Sequence, residues 1–183
     1  MHAVKYLAET AVIAQKIDPI KIEALATELH KLKGKLYIIG LGGSMANAVH
    51  MAADLCKLCE INAEAFCNIS EITARANDDG LHTIFDGWLS RLVAADALFV
   101  LSVGGGTDRV SKAISASVLH AKRRGAKIFG IVGADGGYTA SHADIAIKIP
   151  VMERMTPHTE AFQAVIWHCL VSHPLLQKNP TTW

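Results

Sequence analysis

The feature of this sequence that most constrains its fold is a short, continuously apolar run that ends in glycines. The segment 35–40 (KLYIIG) leads into the turn 40–44 (GLGGS), and a helical pattern follows. A second run, 97–102 (ALFVLS), leads in the same way into the turn 104–107 (GGGT). Strands that are apolar throughout are typical of a parallel sheet covered by helices on both faces. The sequence therefore predicts an α/β fold, a three-layer doubly wound parallel sheet.

The remaining pattern extends this alternation of strands and helices. Asp18-Pro19 separates two leading helices, because Asp is a good N-cap and Pro a good first helical residue. Further strands are predicted at 63–68, 127–132 and 145–149, and further helices at 44–59, 84–94, 107–124 and 159–172. We expect a single domain over 1–183, with leading helices (1–33), a sheet core (35–150) and a C-terminal helix (156–173). The tail after Ser172 is predicted to be an extended arm whose Trp183 docks on a neighbour.

Charge and hydropathy exclude several functions. The net charge of +1 provides no field that would attract nucleic acid or an anionic membrane, so neither is expected as a partner. No apolar run approaches the ~20 residues of a membrane helix, and the first residues lack a signal-peptide pattern, so a cytoplasmic protein is expected. Cys56 and Cys59 form a CxxC within an apolar helical pattern without a second pair. Buried helix cysteines are therefore favoured over a zinc ribbon.

The turn 40–44 is a candidate anion site. Free backbone N–H groups and the dipole at a helix N-terminus attract anions, and Ser44 adds a hydroxyl to Gly42 and Gly43. A dinucleotide fingerprint would need glycine where Met45 stands, and the Gly-Lys-Ser/Thr of a P-loop is absent, so no nucleotide cofactor is expected. Glycines required only for a tight turn remain the alternative. With Ser102 and Thr107 at the second turn, the two turns together favour a sugar phosphate as ligand.

Four residues form a second candidate site. His50 and Asp54 lie four apart on one face of a predicted helix, which suits a divalent metal such as zinc, although a simple His–Asp hydrogen bond is the alternative. Glu160 and His168 are eight apart and would stand about 12 Å apart along one straight helix, so one ion cannot bind both there. Either residue 160 lies at or before the helix start, which Pro157 would favour, or the two residues serve neighbouring sites in an oligomer.

Together these residues resemble the sugar isomerase domain family, and within it the phosphoheptose isomerases, which interconvert sedoheptulose 7-phosphate and a heptose phosphate. The resemblance covers nearly the whole chain. It rests on GxGGS with His50 six residues after the serine, the AND triplet at 76–78, the turn 102–107, GADGG at 133–137 and a histidine in the last helix. It implies that subunits of a homo-oligomer share active sites, and a dimer or tetramer is expected because the leading helices have no obvious place on a lone sheet.

The resemblance also implies roles for individual residues. Ser44 and the hydroxyls of the second turn would bind phosphate, Asp54 would be the isomerisation base, and His168 would assist ring opening or proton transfer. Asn77 and Asp78 could orient sugar hydroxyls. In some members of the family, four counterparts bind a metal, commonly zinc; here these are His50, Asp54, Glu160 and His168.

The chain departs from the family pattern at several positions. Asp54 stands where glutamate is usual, and Glu160 where glutamine is usual. Val103 and Gly104 replace hydroxyl residues, and Pro157 replaces an aspartate. We hypothesise that Glu160 compensates for the shorter Asp54, as ligand or as base. The expected function is aldose–ketose isomerisation through an enediol(ate). The alternatives are a non-catalytic protein that binds a partner such as a replication initiator or senses a sugar phosphate, and a sugar-phosphate lyase or etherase.

Overall fold

The fold is built on a five-stranded sheet in which every strand pairing is parallel. The computed structural model describes residues 1–133, 135–151, 153 and 155–181. The strands are β1 (Leu36–Ile39), β2 (Ala63–Ala65), β3 (Ala97–Ser102), β4 (Lys127–Val132) and β5 (Ile145–Lys148). Their order across the sheet is β2-β1-β3-β4-β5. The α/β class predicted from the apolar runs is confirmed.

Helices cover both faces of the sheet, which confirms the three-layer arrangement. On one face, Leu36 and Ile38 of β1 pack in a cluster with residues of α1, α2, α3 and α8. On the other face, Tyr37 and Ile39 pack with residues of α5, α6 and the segment around Ile84. In the described part of the chain the helices are α1 (His2–Lys16), α2 (Pro19–Lys31), α3 (Gly43–Cys59), α4 (Ile69–Asp78), α5 (Asp86–Leu89), α6 (Lys112–Arg123), α7 (Gly137–His142) and α8 (Met155–Val171).

The strand order reverses between β1 and β3. From β1 the chain crosses to β2 at one edge, and it then returns to β3 on the other side of β1. In open α/β sheets, ligands bind beyond the carboxyl ends of the strands at such a reversal. The two glycine-rich turns follow β1 and β3, so the topology places them on either side of this position.

Two predicted helices begin or extend differently in the structure. The segment 84–94 holds only the short α5, preceded by a 3-10 turn at Leu81–Thr83. The carbonyls of Leu89 and Leu92 bond to the side chains of His120 and Arg124, so tertiary hydrogen bonds replace those of a longer helix. Helix α6 begins at Lys112 rather than at 107, because the intervening residues form a separate hydrogen-bonded turn.

The C-terminal helix begins earlier than predicted. Helix α8 starts at Met155, and Pro157 lies within its first turn. Proline is tolerated there, because the first amides of a helix have no partner in the preceding turn. Glu160 is therefore inside the helix, and the prediction that it lies at or before the helix start is wrong.

The two ends of the chain differ in how closely they pack. Asp18 accepts a hydrogen bond from the Ile20 amide, which confirms the predicted cap. Ile13 is the buried residue of α1, whereas Leu7 is 66% exposed.

The tail after α8 packs against the end of α3. Leu176 is buried, and the amides of residues 178 and 179 bond to the carbonyl of residue 58, so this part is anchored rather than an extended arm. The predicted docking of Trp183 lies outside the described residues.

Among the described residues, no helix has the length and apolar character required to span a bilayer.

Candidate functional site

The first glycine-rich turn forms the N-terminus of α3. Gly42 is the N-cap residue and has a φ of 59°, a left-handed conformation that favours glycine. Its carbonyl accepts from the amides of Met45 and Ala46. In a helix the amides before these have no partner in a preceding turn, so those of Gly43 and Ser44 are the free donors of this end. The Ser44 side chain is buried, with 1% of its surface exposed.

A carboxylate lies at this helix end. Oε1 of Glu160 is 3.5 Å from Oγ of Ser44, and a Cβ atom added at Gly43 would overlap the Glu160 carboxylate. The N-terminus of a helix carries a partial positive charge, which stabilises a carboxylate by about 0.3–1 kcal/mol. The structure therefore places the carboxylate of Glu160 at this turn, and binding of a phosphate here stays a prediction.

Substitutions at the two glycines of this turn should differ in their effect on stability. Gly43→Ala would push only the end of the flexible Glu160 side chain, so we expect the free energy of unfolding to change by less than about 0.5 kcal/mol. Gly42→Ala meets no atom within 4 Å but must adopt a φ of 59°, which costs about 1–2 kcal/mol. Urea denaturation of both variants measures the difference. Equal losses would show that the Glu160 carboxylate is rigidly held.

Behind Glu160 lies a buried polar network that the sequence analysis did not identify. Nε2 of Gln163 is 3.1 Å from Oγ of Ser44. Nδ2 of Asn47 is 3.0 Å from Oε1 of Gln163 and 2.9 Å from the backbone oxygen of Glu160. Gln163 is 0% exposed. The signal was present in the spacing, because Asn47 follows Ser44, and Gln163 follows Glu160, by three residues on a helix.

The second glycine-rich turn is held mainly by its own atoms. Oγ of Ser102 accepts from the amide of Gly105 at 3.0 Å and is buried, so its own proton can still be donated. Oγ1 of Thr107 accepts from the amides of Arg109 and Val110 and donates to the carbonyl of Val110. Thr107 therefore organises the segment before α6, and its hydroxyl would have to give up the bond to the carbonyl of Val110 in order to donate to a phosphate.

Part of the GADGG segment packs against this turn; position 134 lies outside the described residues. A Cβ atom at Gly105 would overlap the carbonyl of Gly136, so this close approach requires glycine. The amide and hydroxyl of Thr139 both donate to the carbonyl of Gly105. These contacts with α7 hold the backbone of the second turn in place.

The structure brings together three of the four predicted metal ligands. One ligand atom each from His50, Asp54 and His168 lies within 4.8 Å of the other two. Nε2 of His50 and Oδ2 of Asp54 are 3.6 Å apart. His50 and Asp54 lie on α3, and His168 lies on α8. The candidate centre is therefore formed by the contact between these two helices.

The chemistry of the three donors fits a divalent metal. Nδ1 of His168 is 2.8 Å from the carbonyl of Ala164, which fixes Nδ1 as the protonated nitrogen and leaves the Nε2 lone pair free. Two imidazoles, one carboxylate and an open position are typical of catalytic zinc sites. The buried Trp167 supports both histidines, since its ring centroid is 3.5 Å from that of His168 and 4.7 Å from that of His50.

Glu160 does not join this cluster within one chain. It precedes His168 by eight residues on the continuous helix α8, which corresponds to about 12 Å along the axis. Its carboxylate is instead at the first turn of α3. The sequence left two arrangements open. The structure excludes a Glu160 at or before the helix start, and the other arrangement, in which Glu160 and His168 serve neighbouring sites of an oligomer, stays a prediction.

The other residues singled out from the sequence occupy varied environments. Asn77 and Asp78 are exposed at the end of α4 and bond to each other at 2.8 Å, so their role toward a sugar stays a prediction.

Burial and the nearby charge of Asp54 raise the pKa of the Cys59 thiol to about 11, so it remains protonated at neutral pH. Cys56 is exposed rather than buried. The described cysteines are free thiols.

Known proteins resemble this chain over most of its length, although no family model matches it. A phosphoheptose isomerase of Syntrophotalea carbinolica is 32% identical over 173 residues, which span 90% of this chain and 84% of that protein. A phosphoheptose isomerase of Vibrio vulnificus is 33% identical over 155 residues, 80% of this chain and 76% of the relative.

Solved structures agree with these relatives. The phosphoheptose isomerase GmhA of Neisseria gonorrhoeae has a TM-score of 0.83 and 25% identity, and covers 93% of this chain and 96% of that one. A second similar structure is the sugar isomerase domain of an RpiR transcription factor from Sphaerobacter thermophilus. It has a TM-score of 0.66 and 17% identity, and the match covers 92% of this chain and 84% of that domain's chain. At that identity the likeness concerns the fold alone.

The sheet order, the two turns that flank its reversal and these neighbours define the class of protein, a sugar isomerase domain. Within that class, the identity and coverage of the curated relatives show that the chain belongs to the phosphoheptose isomerase family, a family of isomerase enzymes. The resemblance stated from the sequence is confirmed. The relatives favour an enzyme over the non-catalytic alternative.

Proposed function

We propose that this protein is a sugar-phosphate aldose–ketose isomerase that converts sedoheptulose 7-phosphate to a heptose 7-phosphate. The observation that carries the proposal is the pairing of α3 with α8. It places His50, Asp54 and His168 within 4.8 Å of one another, and it also joins Ser44 to Glu160. Curated relatives of 32% and 33% identity named as phosphoheptose isomerases support the same substrate.

The reaction needs a base and an acid near the substrate carbonyl. A carboxylate removes the proton from the carbon next to the carbonyl and returns it to the neighbouring carbon, through an enediol(ate). Asp54 lies beside His168, so we assign the base to Asp54. Nε2 of His168, the ring nitrogen not bonded to Ala164, would move the proton between the two substrate oxygens when no metal is bound. With a metal bound, this nitrogen would be a ligand instead. Gly42, Gly43, Ser44, Ser102 and Thr107 would bind the phosphate, and Asn77 with Asp78 would orient hydroxyls.

A divalent metal, with zinc as the first candidate, would be held by His50, Asp54 and His168. When bound, such an ion polarises a carbonyl oxygen and stabilises the negative charge that develops on it. We propose that Glu160 supplies its carboxylate to the site of a neighbouring subunit, as ligand or as base.

The proposed homo-oligomer, a dimer or tetramer, would also cover α1. Val4 and Leu7 of this helix are 57% and 66% exposed, and a neighbouring subunit would remove them from water. Light scattering on the purified protein would give the number of subunits. We further propose that residues 1–183 form one domain, and a cytoplasmic location stays a prediction.

The proposed function is tested by assaying the purified protein with a panel of five- to seven-carbon ketose phosphates and by measuring its metal content. We expect turnover to be highest with sedoheptulose 7-phosphate. Absence of turnover together with absence of stabilisation by any sugar phosphate would contradict the proposal.

The substitution Glu160→Gln tests the second carboxylate. It keeps the shape of the side chain and restores the residue usual in the family, but it removes the charge. We expect kcat to fall by roughly 10-fold or more if the carboxylate takes part in proton transfer, and bound metal to decrease if it is a ligand. Glu60→Gln is the control, because this exposed residue pairs with Lys178 at 3.5 Å at the C-terminal end of α3, whereas Glu160 lies at its N-terminal end. Unchanged turnover and metal content would exclude both roles.

A further inference from the structure

In the hydrogen-bond network around Ser44, one backbone oxygen determines which side-chain atoms donate and which accept. The carbonyl oxygen of Glu160 can only accept a hydrogen bond. The Asn47 atom 2.9 Å from it must therefore be the NH2 group. The same NH2 group lies 3.0 Å from the side chain of Gln163, so the Gln163 atom at that position must be its carbonyl oxygen.

This assignment fixes the remaining members of the network. With its oxygen turned to Asn47, Gln163 presents its own NH2 group to Ser44, at 3.1 Å from Oγ. Ser44 therefore accepts from Gln163 and cannot donate its proton back to it. The hydroxyl proton of Ser44 must point elsewhere, and within the described residues an acceptor at 3.5 Å is Oε1 of Glu160.

Burial makes the arrangement stable. Gln163 is 0% exposed and Ser44 is 1% exposed, so water does not compete for these groups. Hydrogen bonds are stronger in such surroundings, and an unpaired polar group there is costly. A reversal of Gln163 would place its NH2 group against that of Asn47 and lose the bond between them, and only the bond to the Ser44 hydroxyl could form again.

We propose that Gln163 is a positioning residue that holds the hydroxyl of Ser44 as a hydrogen-bond donor for the substrate phosphate. The proposal rests on the proposed function and adds a residue to the phosphate site. In the free chain the donor faces the Glu160 carboxylate. When the sugar phosphate binds, a phosphate oxygen takes the place of that carboxylate oxygen, because both anions are attracted to the same helix N-terminus. Asn47 acts one step further back, by orienting Gln163.

A double-mutant cycle between Gln163 and Ser44 tests the proposal. Gln163→Met keeps the length of the side chain but cannot donate. We expect it to raise both KM and the dissociation constant for inorganic phosphate by roughly 10-fold, the effect of a hydrogen bond to a charged group, while kcat changes less. In the Ser44→Ala background the same substitution should have no further effect, because Gln163 acts through Ser44.

The controls separate positioning from general stability. In the background of Ser117→Ala, a buried serine of α6 that bonds within its own helix, Gln163→Met should retain its full effect. Gln163→Glu offers a second variant of the same shape. Its carboxylate can only accept, so the Ser44 proton turns toward it and phosphate binding should weaken as well. Urea denaturation of each variant reports folding.

The outcomes of this cycle are distinct from those that test the proposed function. An equal loss from Gln163→Met with and without the Ser44 hydroxyl would overturn the positioning role, even in an active enzyme. Unchanged phosphate affinity in Gln163→Met would overturn it too. A wild-type protein that neither turns over sugar phosphates nor binds inorganic phosphate would overturn the proposed function, and this inference with it.

Discussion

Replacing Asp54 with asparagine is expected to lower kcat by about 10²–10⁴-fold, the range lost when a general base is removed. Asparagine keeps the shape of the side chain but cannot take a proton. It also removes the one carboxylate of the His50, Asp54 and His168 cluster, so the two histidines lose the negative charge that favours a divalent ion. Steady-state kinetics and metal analysis of the purified variant measure both effects.

The matched control for Asp54 is a glutamate at the same position. Asp54→Glu restores the residue usual in the family and adds one methylene, so the carboxylate remains on the same face of α3. We expect this variant to keep much more activity than the asparagine variant, and to keep its metal. A kcat of Asp54→Asn within a few-fold of the wild type would exclude Asp54 as the base.

Trp167→Ala is expected to lower the free energy of unfolding by about 3–5 kcal/mol, the usual cost of emptying a fully buried tryptophan site. Trp167 is 0% exposed and lies in the cluster between the sheet and helices α3 and α8. The ring also supports His50 and His168, so its loss should weaken metal binding. Urea denaturation gives the first quantity, and titration with cobalt(II), followed by absorbance, gives the second.

A tryptophan on the opposite face of the sheet provides the control. Trp88 is 7% exposed and packs against Tyr37 and Phe66, far from the histidines in the chain's layered arrangement. Trp88→Ala should cost a similar free energy of unfolding and leave cobalt binding unchanged. If both variants bound cobalt with wild-type affinity, Trp167 would be a core residue without a role in placing the histidines.

The interior of the fold was more predictable than its connections. The strands at 97–102 and 127–132 were predicted with the bounds that the structure has, because a buried parallel strand leaves a continuous apolar run in the sequence. The segment 84–94 was predicted as one helix. The structure forms an α-helix there only at Asp86–Leu89. The amide of Val93, which a longer helix would use, bonds to the side chain of Asp96, and the side chains of His120 and Arg124 bond to the carbonyls of Leu89 and Leu92.

The environment of His158 could not be predicted either, because it depends on residues that are distant in the sequence. In the sequence His158 lies near a turn, which predicts a surface residue, and the structure shows that this prediction is wrong. Its side chain is 1% exposed, stacks on Tyr6 with 4.3 Å between ring centroids, and bonds through Nε2 to Glu9 at 2.9 Å. Both partners come from α1, about 150 residues away, and no local pattern around His158 indicates them.

Some residues of the candidate site could be recognised from the sequence, and others could not. The pair His50 and Asp54 could be recognised from the sequence, since residues four apart on a helix share a face. That His168 would meet this pair, and that Glu160 would not, depended on how α8 lies against α3. Asn47 and Gln163 were missed: their spacing places Asn47 on the helix face of Ser44 and Gln163 on that of Glu160, but it does not show that these two faces meet.

The glycine-rich turns could be read from local sequence. Glycines after an apolar strand specify where the chain turns and where a helix N-terminus begins, because both are local properties of the backbone. The position of the Glu160 carboxylate at this turn and the direction of the Ser44 hydroxyl could be read only from the packing of α8 against α3. Those depend on Glu160 and Gln163, which are more than 110 residues away in sequence. The physical reason is that backbone geometry is set by neighbouring residues, whereas the direction of a buried hydrogen bond is set by the donors and acceptors that packing brings against it.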